Sequence, residues 1–408
     1  MYFSDFLIRA VLMGLAAALV AACGGGGGTS ATSSVPLENN VMAITVDSGP
    51  ANTGYNVNRL YASVRICVPG TITCQTIDHV LVDTGSTGLR LLSTAVSPAL
   101  SLSRVTGGTG FPLLNCAQFV DNSFAWGPVA TADIVLGGKT AASVPIQIIG
   151  DPAFNSLAAA CSSGGTAITT AATLGANGIV GLGLFKEDCG SGCAVIPANG
   201  FYYTCADFTC TTAVATTASI SKQVANPVSL FATDNNGVLI DLPAVGTISA
   251  PSLSGSLIFG MGTQANNQLV PSAVLTTNAS GYVTTLLAGQ TLSNSFIDTG
   301  SNGLFFDLAS IPVCEGASIG FYCPPPASRV DLSATLVGTN AVAVLVSFAV
   351  DNALSLFATG QPVLPTLAGD IGYPQIFDWG LPFFYGRRVF IGIEGQPSSL
   401  GTGPLYAF

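Results

Sequence analysis

The chain has 408 residues, of which 49% are hydrophobic and only 8% charged, with a formal net charge of −10. It is too apolar and too sparsely charged for a disordered chain, and long enough for two sizeable lobes. Lysine is confined to Lys139, Lys186 and Lys222, so no basic stripe exists to neutralise phosphates and nucleic acid is not an expected partner.

Residues 1–22 read as a signal peptide. Arg9 precedes an apolar run from Val11 to Ala22, too short to span a bilayer and suited to the core of an export signal. Leu19-Val20-Ala21-Ala22-Cys23 has the form of a bacterial lipobox, in which Cys23 is lipidated and becomes the mature N-terminus. Cleavage as an ordinary secretory signal is the alternative. Residues 23–40 open with five glycines and continue rich in Ser and Thr, the composition of a flexible tether with a reach of roughly 20–25 Å. The expected location is the periplasmic or surface side of a membrane, held there through the lipid on Cys23.

From Val41 onward, short apolar runs are separated by Gly, Pro, Asn and Asp. They are Val41–Val46, Tyr61–Val68, His79–Val82, Ala132–Leu136, Val144–Ile149, Leu257–Phe259, Tyr282–Leu287 and Ala343–Val350. Runs of this length, rich in Val, Ile, Leu and Thr, predict strands. Ile220–Ala225 and Ala309–Val313 are the best short helical candidates, so the predicted class is mostly β. Apart from Cys23 there are ten cysteines: Cys67, Cys74, Cys116, Cys161, Cys189, Cys193, Cys205, Cys210, Cys314 and Cys323. In an exported chain they predict up to five disulfides. Cys67–Cys74 and Cys314–Cys323 suit local pairing. The four from Cys189 to Cys210 can pair in three ways, and a zinc site built from them is the alternative.

An internal repeat organises the rest. His79-Val80-Leu81-Val82 runs into Asp83-Thr84-Gly85-Ser86-Thr87-Gly88-Leu89, and Ser295-Phe296-Ile297 runs into Asp298-Thr299-Gly300-Ser301-Asn302-Gly303-Leu304. Six of the seven loop positions are identical across a separation of 215 residues. This composition yields one Asp-Thr-Gly-Ser by chance roughly 0.02 times, so the pair reads as a duplicated lobe. An Asp at the end of a buried strand stays ionised only when donors surround it, and Thr, Ser and a glycine turn supply them. Two such loops face to face would bring two carboxylates together. At ~3 Å and an effective dielectric of ~20 their repulsion is ~5–6 kcal/mol, so the pair should share one proton.

At these residues the chain resembles the pepsin-like aspartic peptidases. Weaker similarities follow in order: Tyr61–Val82, Ile134–Gly138, Asn177–Gly183, Asn226–Phe231 and Ser256–Gly260 as strands near the lobe junction, and Gly380–Phe384 with Val389–Gly392. The resemblance implies a bilobal pepsin-like fold of two pseudo-symmetric β lobes, at residues 41–240 and 241–408. It implies a catalytic pair, Asp83 and Asp298, one acting as general base on a water while its protonated partner polarises the substrate carbonyl. Thr84 and Thr299 would lock the loops together, Ser86 and Ser301 would bind the outer carboxylate oxygens, and Gly85 and Gly300 would supply backbone donors. No metal or cofactor is implied. The expected partner is an extended peptide or protein, taken up by a monomer, and the expected activity is that of an endopeptidase. A catalytically inactive peptide-binding or structural surface lipoprotein is the alternative reading.

Two departures stand out. The family's flap normally carries a Tyr near its tip, whereas Gln118–Pro128 holds Phe119, Phe124 and Trp126. Trp126 is the flap candidate as an indole donor, but core packing is the favoured reading, since buried aromatics usually pack. Asp378-Trp379-Gly380 stands where two aliphatics and a glycine are expected. Other hydrolytic classes fail on inventory: His79 is the only histidine and reads as structural, a Ser-His-Asp or Cys-His mechanism would have to use it, and a His-Glu-x-x-His site is impossible.

Overall fold

Strands form where the short β-branched and aliphatic runs predict them. The computed structural model describes residues 39–408 apart from 163, 208–209, 247 and 269–272. The signal peptide, Cys23 and all but the last two residues of the tether lie outside the described residues. Val41–Val46 and Ala343–Val350 are strands over their whole predicted spans. The run Ala132–Leu136 is only the end of a longer strand, Ser123–Leu136. Among the described residues the four α-helices are four or five residues long, so the class is mostly β.

Three local expectations are corrected. Ile220–Ala225 yields only the 3-10 turn Ile220–Lys222. Ala309–Val313 forms a turn instead of a helix, closed by the Ile311 N–H on the Leu308 carbonyl at 3.0 Å, and Pro312 could not continue a ladder. Asn226–Phe231 is not a strand: Pro227–Leu230 is a 3-10 helix whose start is capped by the Asn226 side chain accepting from the Val228 N–H. Proline at the first helical position is preorganised for such a start.

Two sheets carry the two Asp loops, one of sixteen strands and one of seven. In the first, Gly178–Leu182 lies parallel to Cys74–Asp83 and antiparallel to Thr87–Leu92, opposing Leu81 to Ile179 and Leu89 to Val180. In the second, Phe377–Trp379 lies parallel to Gln290–Ile297 and antiparallel to Leu304–Phe306, opposing Phe296 to Asp378 and Leu304 to Trp379. The Asp of each Asp-Thr-Gly-Ser loop therefore leaves its strand beside an equivalent crossing segment. Glycine is required in both segments for close approach: a Cβ at Gly181 would lie 2.6 Å from the Thr87 nitrogen, and one at Gly380 2.1 Å from the Gly303 carbonyl oxygen. The junction expected at 240/241 falls within the strand Gly237–Leu242, which pairs with Leu253–Phe259 and Arg387–Gly392. Strands from the second half of the chain thus complete the first sheet.

Packing fixes the crossing segments. All five residues of Gly178–Leu182 are buried. Trp379 stacks on Phe377 at 4.0 Å, Phe377 stacks on Phe306 at 4.7 Å, and the Trp379 indole N–H donates to Thr285 Oγ1 at 3.0 Å. Truncating a buried aromatic of this kind costs about 3–5 kcal/mol. Five disulfides join Cys67–Cys74, Cys116–Cys161, Cys189–Cys193, Cys205–Cys210 and Cys314–Cys323. The Cys189–Cys210 cluster is thereby resolved into two local bridges, which leaves no thiolates there for zinc.

Candidate active site

The two Asp-Thr-Gly-Ser loops meet. Both strands run through apolar core into a buried Asp, and both following Thr side chains are buried. The Thr84 N–H donates to Thr299 Oγ1 at 3.1 Å, and the Thr299 N–H donates to Thr84 Oγ1 at 3.0 Å. Each hydroxyl then donates across the seam, Thr84 to the Ile297 carbonyl at 3.3 Å and Thr299 to the Val82 carbonyl at 2.7 Å. These four bonds satisfy buried polar groups that would otherwise cost about 1–3 kcal/mol each, and they fix one loop against the other.

The carboxyl groups lie inside this clamp. The Gly85 N–H donates to Asp83 Oδ1 and to Asp298 Oδ1, each at 2.9 Å. Asp83 also accepts from the Ser86 N–H at 3.2 Å and from the Ser86 hydroxyl at Oδ2. Asp298 accepts from the Gly300 N–H at 2.7 Å and from the Ser301 hydroxyl at 3.0 Å. Gly85 and Gly300 are needed for proximity: a Cβ at Gly85 would sit 2.6 Å from the Asp298 Cγ, and one at Gly300 2.6 Å from Asp83 Oδ1. Burial first, then the negative charges of Asp83 and Asp378, push the Asp298 carboxyl well above its ordinary range. Like-charged carboxyls this close cannot both ionise easily.

A cleft of about 780 Å³ opens over the pair. One wall is the hairpin of Leu113–Gln118 and Ser123–Leu136, whose tip residues Phe119, Val120 and Asp121 line the cleft. The Cys116–Cys161 bridge ties this hairpin to the short helix Ala159–Ser162. Trp126, the flap candidate, is a core residue, as the favoured packing reading has it. It is buried, packs edge-on against Tyr203 at 5.2 Å, and donates its indole N–H to the Phe154 carbonyl at 2.9 Å. The aromatic at the tip is Phe119, which has no donor to offer. His79 contacts Asp47 and Asp78 and is not among the cleft-lining residues.

Two features of the site escape a sequence reading. The first is a buried polar network behind the cleft. The Arg90 guanidinium donates to Asn115 and Gln147 and pairs with Asp188 at 2.9 Å, while the Tyr202 hydroxyl donates to Asp188. Burial pushes the Asp188 carboxyl up despite its Arg90 partner. A lone cation inside the apolar strand Thr87–Leu92 was the available signal. The second is Asp378, which is 1% exposed and lines the cleft beside Ser301. Burial, and then the charge of Asp83, hold its carboxyl up to about 8.

Residues 36–408 match the model of a family described as protein of unknown function (DUF3443), and the chain belongs to that family. No curated protein matches it. Among solved structures, the chain is similar to an aspartic proteinase from Irpex lacteus, at 13% identity and a TM-score of 0.45, over 90% of this chain and 96% of that one. It is also similar to basic 7S globulin from soybean, at 14% identity and a TM-score of 0.42, over 86% of this chain and 93% of that one.

Proposed function

We propose that this member of the family is an aspartic endopeptidase, exported and tethered to a membrane through a lipid on Cys23, with residues 41–240 and 241–408 as its two lobes. The observation that carries the reading is the single Gly85 N–H bonded to the inner oxygens of both Asp83 and Asp298. A water held between the two carboxyls would lose a proton to the ionised one as it attacks a peptide carbonyl. The protonated one would donate to the carbonyl oxygen as charge develops there. Asp298, pushed up by burial, is the member that keeps the proton. An extended peptide would lie along the cleft and pair with the Leu113–Gln118 hairpin in the manner of an added strand. Five disulfides support export, since such bridges persist in oxidising compartments.

The test is cleavage of an unfolded protein by the mature chain, read by mass spectrometry across acid to neutral pH. Defined cleavage products support the reading. Peptide binding without turnover would instead favour a pepsin-like binding module, a reading that draws on Phe119 standing at a hairpin tip without a donor.

A further inference from the structure

The two halves of the site can be laid on one another by register. Two residues before Asp83, Leu81 opposes Ile179; two residues before Asp298, Phe296 opposes Asp378. On the other side of each crossing segment, Arg90 opposes Ile179 and Phe305 opposes Asp378. Asp378 therefore occupies the place that an isoleucine fills in the first half. Both positions line the cleft. Placing a carboxyl where the other half packs an aliphatic is unfavourable unless the group is partnered or neutral.

Ser301 donates its one hydroxyl proton to Asp298 Oδ2 at 3.0 Å, which leaves it none to offer Asp378. The groups facing Asp378 offer no cation. They are Asp298 at the end of Gln290–Ile297, Asp83 at the end of Cys74–Asp83, and Tyr406 on Leu405–Ala407. Leu304–Phe306 and Leu381–Phe384 carry no titratable side chain. Asp378 Oδ1 is buried and without a hydrogen-bond partner, as suits a neutral carboxyl more than a carboxylate.

We propose that Asp378 is a third active-site carboxyl, held neutral by its burial without a partner, whose proximity extends the catalytic pair's working range to higher pH. The kinetic part rests on the peptidase reading; the protonation part does not. The pair must keep one proton to act, and a neighbouring acid that gains charge as pH rises makes that proton harder to lose.

The experiment compares wild type, Asp378→Asn and Asp378→Ile by two readouts, with thermal melting as the control for folding. Asparagine keeps the size and removes the acid. Isoleucine restores the residue found at the equivalent position 179. For kcat/KM against pH, Asp378→Asn should keep the acid-side rate within about threefold while its alkaline limb moves down by about one pH unit. Asp378→Ile, which also lacks the acid, should move the alkaline limb in the same direction. Superimposable pH profiles for wild type and Asp378→Asn would overturn the proposal. The second readout is the infrared difference spectrum at pH 6, wild type minus Asp378→Asn. A protonated-carboxyl band is expected, and a carboxylate band in its place would overturn the proposal. Should wild type hydrolyse nothing, the peptidase reading fails, and the infrared band still decides whether Asp378 holds its proton.

Discussion

Gly85→Ala probes the seam between the two loops with the smallest possible change. Gly85 does not have a positive φ, so alanine can adopt the backbone and the effect comes from contact alone. The added Cβ would lie 2.6 Å from the Asp298 Cγ and 2.8 Å from both its oxygens, where ordinary contact begins at 3.4 Å. The carboxyl must therefore retreat by about 0.8 Å (3.4 minus 2.6). It has little room, because Gly300 and Ser301 hold it and the Thr84–Thr299 bonds prevent the loops from separating. Misplacing a reacting group by ~1 Å costs ~10²-fold in rate, and overpacking of this kind costs about 1–3 kcal/mol. Peptide hydrolysis and thermal melting of Gly85→Ala should show both losses. Gly108→Ala is the control, since a Cβ there meets nothing within 4 Å. A Gly85→Ala protein with wild-type turnover and melting would refute the close-approach argument.

Stability should fall as pH rises above the ordinary carboxyl range. Asp298, Asp188 and Glu187 are pushed up, Asp370 to about 6 and Asp378 to about 8. The folded chain then holds protons that the unfolded chain releases. The stability from Asp378 is present below its unfolded value of 3.8 and lost as pH climbs toward 8. Melting temperatures at pH 5 and pH 8 should differ less in Asp378→Asn than in wild type; equal slopes would contradict the assignment. The disulfides should rank by the loop they close. In the chain-entropy treatment, replacing Cys116–Cys161, which closes 45 residues, costs about 4 kcal/mol. Replacing Cys189–Cys193, which closes 4, costs about 2 kcal/mol. Denaturant melts of the two double-alanine variants measure the order, and the reverse order would contradict it.

The Asp-Thr-Gly-Ser loops could be found in the sequence because their chemistry is written in four adjacent residues and repeated. The strands leading to them were legible because they are short, apolar and bounded by turn residues. The first half of Ser123–Leu136 was not, since Gly127-Pro128 breaks the strand pattern. The structure accounts for that glycine: a Cβ at Gly127 would fall 1.8 Å from the Ile148 carbonyl oxygen. The short bridges Cys67–Cys74 and Cys314–Cys323 follow from proximity in sequence, whereas Cys116–Cys161 depends on where a hairpin meets a distant helix. Asp378 was visible as an oddity, but its meaning required the register that sets it opposite Phe296, in the place that Ile179 takes opposite Leu81. Trp126 could be weighed as donor or core from sequence, and the bond of its indole to the Phe154 carbonyl decides for core.

The shared-proton pair is tested most directly by hydrolysis of one peptide by wild type, Asp83→Asn and Asp298→Asn at the pH of maximal activity. Each variant removes one of the two acid–base roles and should lose at least about 10²–10⁴-fold in kcat while melting as a folded protein. A variant that turns over at close to the wild-type rate would show that the chemistry does not need both carboxyls, and would contradict the account.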